Sequence, residues 1–226
     1  MIDVADGHLV VHEGGQAAVE GYLLARFHMY QQVYLHKTSR GAERVLVEAL
    51  GRAGALHRDG VGPEHWPSGP LGSLLAGEAL SAGDFVAIDD YDVWSSLKAW
   101  TTSSDAVLSD LTTALVERRL WKTAHLPVGD SRRADELVAS ARSIARVNGL
   151  DPERHVLVDE SSDSPYHPFT GVGRADDAIR VLTSSGRVIP IEDRSEVVRM
   201  LGKLRHHQRL LCYHPALHQP LRGLLD

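Results

Sequence analysis

The chain has 226 residues, 43% of them hydrophobic and 24% charged, with a formal net charge of -6. These values exclude wholesale disorder, leave room for one large domain or two small ones, and argue against a protein that coats nucleic acid. The single cysteine, Cys212, cannot close a disulfide within the chain, Met1 to Val11 lacks a signal-peptide core, and no apolar run is long enough to span a bilayer. A cytoplasmic protein with no membrane partner is expected.

Residues 7–12 read as a short strand, followed by the break Gly14-Gly15. Residues 16–54 contain no proline. Apolar residues there recur at intervals of three and four (Val19, Tyr22, Leu23, Phe27, Tyr30, Val33, Tyr34, then Val45, Leu46, Ala49, Leu50), which predicts a long helix interrupted near Ser39-Arg40-Gly41. Residues 57–83 are rich in Gly and Pro and read as loop with a short helix at 71–79. Asp84 to Trp100 reads as a helix opened by acidic residues, and Thr102 to Asp105 can cap the next, to about Arg119.

Past Leu126-Pro127-Val128-Gly129-Asp130 the rhythm changes. A helix over 132–148 ends at Gly149. Strands are expected at 155–158, 179–182 and 188–191, the last two joined by a hairpin at Ser184-Ser185-Gly186. A helix from Ser195 and a strand at 209–213 complete the pattern. The predicted fold is mainly α with a C-terminal α+β subdomain: a helical region over 1–126, then a small mixed sheet with helices over 127–226.

Arg26, Tyr30, Tyr34 and Lys37 are spaced four, four and three apart. On a helix they fall within an arc of roughly 80°. A guanidinium suits phosphate oxygens, and a phenol can pack on a sugar or base and still donate a hydrogen bond. The same spacing also fits an amphipathic helix whose tyrosines are core and whose charged ends reach solvent.

The stretch Ala25-Arg26-Phe27-His28-Met29-Tyr30-Gln31-Gln32-Val33-Tyr34-Leu35-His36-Lys37 resembles a segment of HD-domain deoxynucleoside triphosphate triphosphohydrolases. Glu117-Arg118-Arg119-Leu120-Trp121-Lys122 is similar to that family's Arg-x-Leu-aromatic-Lys motif, though it also reads as a helix C-terminus whose cations answer the dipole. The resemblance implies long helices of an HD-type phosphohydrolase, substrate contacts at Arg26, Tyr30 and Tyr34, and effector-nucleotide contacts at His36, Lys37, Arg118 and Lys122. It also implies a nucleoside triphosphate as ligand, and a homo-oligomer or an HD-containing partner chain.

The family's chemistry needs a divalent metal held by His and Asp, including an adjacent His-Asp pair. No histidine here is followed by aspartate; His57-Arg58-Asp59 comes nearest, in a loop after the helix. The metal is therefore expected only if an HD segment is supplied, and no catalytic set is complete in this chain. A fragment, a split subunit and a non-catalytic relative all fit that expectation. Of the 13 histidines, His214 and His218 have i, i+4 spacing that can hold zinc on a helix, but no third ligand is evident. Two further readings stand beside the hydrolase: a non-catalytic nucleotide-sensing or oligomerisation module, and a nucleic-acid-binding protein using the six cations between Arg194 and Arg222.

Overall fold

A computed structural model describes residues 2–163 and 179–225. They form two compact units, Met1–His36 with Ser161–Gln208, and Lys37–Glu160 with Arg209–Asp226. The boundary expected at 126/127 lies inside the second unit.

In the first unit, β1 (Ile2–Ala5) and β2 (His8–His12) form an antiparallel hairpin with Val4 opposite Leu9. Its turn, Asp6-Gly7, has positive φ at both residues, the conformation that matches strand twist. β2 then pairs in parallel with β5 (Arg180–Leu182), and β5 turns back into β6 (Val188–Pro190). The sheet order is β1-β2-β5-β6, so strands from both ends of the chain share one sheet. The strand expected at 7–12 is β2, but its place in a sheet with strands expected only after residue 126 is not legible in the sequence, because a parallel pairing between distant segments leaves no local trace.

Helices α1 (Gln16–Met29) and α8 (Glu196–Lys203) belong to the same unit. Leu23 of α1 is buried with Val181, Ile191, Val198 and Leu201, and Val19 and Phe27 pack on that cluster. Residues 19, 23 and 27 are four apart, one stripe of a helix. Ser195 caps α8 by accepting from Val198 N at 3.1 Å.

The second unit is built on α2 (Lys37–Arg58), which packs against α6 (Ala106–Val116) and α3 (Pro70–Ala76). Gly54 permits the close approach of α3: a Cβ there would stand 2.6 Å from the Leu75 carbonyl oxygen. The helix expected over 84–100 is two, α4 (Ala82–Val86) and α5 (Asp90–Trp100). Asp89 is the reason, because it forms a reciprocal capping box with Asp92 and so starts a new helix. Val45, Ala49, Leu97, Trp100, Leu108 and Leu111 form the core of these helices.

A three-stranded sheet lies in the order β3-β7-β4, from β3 (Lys122–His125), β7 (His206–Tyr213) and β4 (Val156–Asp163). Thr123 faces Cys212 in its antiparallel β3–β7 pair. Helices α7 (Ser131–Val147) and α9 (His218–Leu225) build a second cluster with Val156, Leu211 and Tyr213. The described residues are thus α-rich with two small sheets.

Buried charges in this unit are paired. Arg40 donates to both oxygens of Asp159, and Arg44 and Arg154 both reach Glu48. Arg52 forks onto Asp105, which also caps α6 by accepting from Leu108 N at 2.8 Å. Asp105→Ala should therefore cost about 1–2 kcal/mol of stability in urea unfolding. The Arg52 hydrogen bond holds the Asp105 carboxyl below its ordinary 3.8, against the opposing push of burial. This contribution is complete well above the unfolded carboxylate value of about 3.9 and is lost as pH falls through the lower folded value. The variant and the wild type should accordingly converge in stability at acid pH.

Candidate functional site

Because 19, 23 and 27 face the core, the neighbouring stripe of α1 faces out. Tyr22 and Arg26 are exposed and Tyr30 is half-buried. Arg26 Nη2 donates to Tyr30 Oη at 2.9 Å, and its guanidinium carbon lies 4.9 Å from the centroid of the Tyr30 ring. Tyr30 meets Tyr34 edge to face, centroids 5.2 Å apart. Guanidinium and two phenol rings thus form one continuous ladder, with Tyr34 54% exposed at its open end.

The helix changes pitch at this ladder. Residues Tyr30–Tyr34 form a π turn, closed by Leu35 N donating to Tyr30 O at 2.8 Å. Such turns are rare and frequent at functional sites. The wider turn keeps residues four and five apart on one side, so Tyr30 and Tyr34 remain neighbours. Leu35 ends it: its side chain is buried, and its carbonyl accepts from the buried Gln208 Nε2 at 2.8 Å. The helix break therefore falls at Leu35-His36, not at the expected Ser39-Arg40-Gly41, which lies inside α2. Tertiary satisfaction of one carbonyl outweighed the local propensity of Gly41.

The structure brings Arg26, Tyr30 and Tyr34 together in the first unit. His36 is exposed at the end of that unit's first segment. Lys37 opens α2 in the second unit, so the expected four-residue stripe on one helix stops at Tyr34. Lys37 is an exposed cation at the positive end of a 22-residue helix that has no acidic residue in its first turn. Arg118 and Lys122 also lie in the second unit, both exposed, on either side of the buried Trp121. Arg118 is left-handed, φ 56°, where α6 has ended at Val116, and Lys122 is the first residue of β3. The basic motif is therefore a loop into a strand rather than a helix terminus.

His214 and His218 do not share a face. His218 stacks on Tyr213, whereas His214 Nε2 lies 3.4 Å from Asp110 Oδ2 and His155 Nε2 lies 3.7 Å from the same oxygen. Trp121 closes this group, 5.8 Å from His155 and 5.7 Å from His214 between ring centroids. Burial pushes the Asp110 carboxyl up, but the contact with His214 and the charges of His214, His155 and Arg119 outweigh it and hold it below the usual carboxylate range. Sequence spacing could not reveal a cluster drawn from four separate segments. Among the described residues no group of three or more His, Cys, Asp or Glu side chains is arranged to hold a metal ion. His57, the nearest approach to an HD motif, stacks on Trp66 at 3.9 Å. The described residues do not fit the divalent metal implied by the resemblance. No helix among them is long and apolar enough to cross a membrane.

Residues 1–61 match the family model described as "HD associated region". The chain is similar to the uncharacterized protein YwfO of Bacillus subtilis, 31% identical over 97% of this chain and 52% of that protein. It is also similar to the crystal structure of a phosphohydrolase from Bacteroides thetaiotaomicron, with TM-score 0.74 and 30% identity over 95% of this chain and 54% of the other. A hypothetical protein from Aquifex aeolicus shares the fold, with TM-score 0.62 and 20% identity over 100% of this chain and 49% of that one. These matches support an HD-domain-related family. The chain spans about half the length of the relatives it matches.

The ladder makes a local prediction. A double-mutant cycle on Arg26→Ala and Tyr30→Leu should give a coupling of about 0.5–1 kcal/mol in urea unfolding. A coupling of zero would mean that the guanidinium does not rest on the ring in solution.

Proposed function

We propose that this chain supplies the ligand-binding wall of an HD-type dNTP triphosphohydrolase, whose reaction yields deoxynucleoside and tripolyphosphate. The observation that carries this reading is the Arg26–Tyr30–Tyr34 ladder, a fixed cation beside an exposed aromatic face, set on a π turn. The match of residues 1–61 to an HD-associated region and the likeness to a phosphohydrolase support it.

In this reading Arg26 meets phosphate oxygens and answers the charge that develops on them during cleavage. Tyr34 packs against the sugar, and Tyr30 holds the guanidinium in place from below. His36, Lys37, Arg118 and Lys122 are proposed on the effector-nucleotide side. Lys37 suits an anion particularly well, because an α2 N-terminus without acidic residues already favours negative charge. No metal step is assigned to these residues, and the chain alone is expected not to hydrolyse dNTPs.

A second reading, self-association, is favoured by the outer side of the same helix. Tyr22, Met29, Val33 and Tyr34 are all exposed there, an unusual density of large apolar side chains. The nucleic-acid reading has less to work with: Arg194 pairs with Glu13 and Gln16, Arg199 donates to the carbonyls of Glu192 and Asp193, and Arg209 pairs with Asp135 and Glu160.

Calorimetric titration with tripolyphosphate tests the proposal. Arg26→Ala should weaken binding at least about tenfold, the loss of one charge-assisted hydrogen bond. Equal affinity in the variant and the wild type would remove Arg26 from the site.

A further inference from the structure

We propose that Gln208 is a positioning residue for the ladder: through Leu35 it holds Tyr34 where the site prefers a nucleotide to bare tripolyphosphate. This rests on the nucleotide reading above. Gln208 and Leu35 both belong to the first unit and both are buried, 5% and 7% exposed.

Leu35 is held at three points, its N–H, its carbonyl and its side chain. The N–H donates to Tyr30 O at 2.8 Å, the bond that closes the π turn. The carbonyl accepts from Gln208 Nε2 at 2.8 Å, and the side chain is buried. A carbonyl buried at a helix end needs a donor, and here a distant side chain supplies it.

That bond selects the π turn over an ordinary one. A π turn carries one residue more than an α turn, and one residue of α-helix is a rotation of roughly 100°. Arg26 lies in α1 and Tyr30 opens the π turn, whereas Tyr34 stands at its far end. In an α register Tyr34 N, not Leu35 N, would bond Tyr30 O, and Tyr34 and Leu35 would turn together. Leu35 would leave its buried place and its carbonyl would leave Gln208. With Gln208 on that carbonyl, Tyr34 stays edge to face with Tyr30 and 54% exposed. Without the donor, the buried carbonyl is unsatisfied and the α register becomes the better alternative.

The consequence is selectivity. Arg26 suits phosphate, which dATP and tripolyphosphate share. Tyr34 offers a ring and a phenol that only the nucleoside part can use. Moving Tyr34 alone therefore changes the preference between the two ligands and not the hold on phosphate. The reaction proposed above releases tripolyphosphate, so this preference is also what lets the next nucleotide displace product.

The test titrates the full chain by calorimetry with dATP and, separately, with tripolyphosphate. Methionine is close to glutamine in length but has no N–H, so Gln208→Met removes the bond with little change of shape. Wild type should bind dATP about tenfold more tightly than tripolyphosphate. Gln208→Met should lose that preference while its tripolyphosphate affinity changes less than about twofold. In Tyr34→Ala the preference is already gone, and adding Gln208→Met should change nothing further, which a general loss of stability would not produce. Deleting Gln32, exposed within the turn, removes the extra residue and leaves Gln208 in place. It should give the same selective loss, and it decides the matter if Gln208→Met does not fold. The proposal is overturned if wild type shows no preference, if folded Gln208→Met keeps it, if both ligands weaken equally, if the double variant loses more than Tyr34→Ala, or if the deletion leaves the preference intact. Failure here with Arg26-dependent tripolyphosphate binding intact would remove the role of Gln208 and leave the proposed function standing; the converse pattern would remove the Arg26 reading alone.

Discussion

One hydrogen bond decides where the long N-terminal helix ends. Gln208 is buried, and its side-chain amide donates to the carbonyl of Leu35. A carbonyl buried at a helix terminus without a partner is costly, and a partner supplied from a distant strand makes termination there stable. The π turn at Tyr30–Tyr34 precedes that point and sets the side on which Tyr34 stands. The Arg26 ladder thus depends on a residue 173 positions away in the chain.

The same logic runs through both units: polar groups are buried where distant segments satisfy them. Arg40 on Asp159, Arg154 on Glu48 and Arg52 on Asp105 each join α2 to a later element of the second unit. Breaking one partner of such a pair leaves an uncompensated charge, so they specify how the elements meet more than they add net stability. The indole Nε1 of Trp121 is among the few buried side-chain polar atoms of the described residues that have no hydrogen-bond partner.

Much of this was legible in the sequence. The helix over 132–148 appeared as Ser131–Val147, the hairpin at Ser184–Gly186 was in place, the helix expected from Ser195 runs over Glu196–Lys203, and Arg26, Tyr30 and Tyr34 did come together. Each of these rests on local periodicity or capping chemistry. What was not legible was non-local. The parallel pairing of Val11 with Val181 has no sequence signature, nor has the Gln208 bond that ends the helix early. The neighbours of the spaced histidines are non-local too: Pro215 opens a short turn after His214, whose side chain meets Asp110 and whose backbone N–H donates to the carbonyl of His155, while His218 stacks on Tyr213.

The central claim is that nucleotide rests on the Tyr30–Tyr34 side of the first unit, and photo-crosslinking tests it most directly. Trypsin cuts after Arg26 and Lys37, releasing residues 27–37 with both tyrosines on one peptide. Irradiation with an azido-substituted dATP, digestion and mass mapping should place the label on that peptide, and excess tripolyphosphate should suppress it. Label confined to the basic residues between Arg194 and Arg222, or label on 27–37 that tripolyphosphate leaves unchanged, would contradict the account.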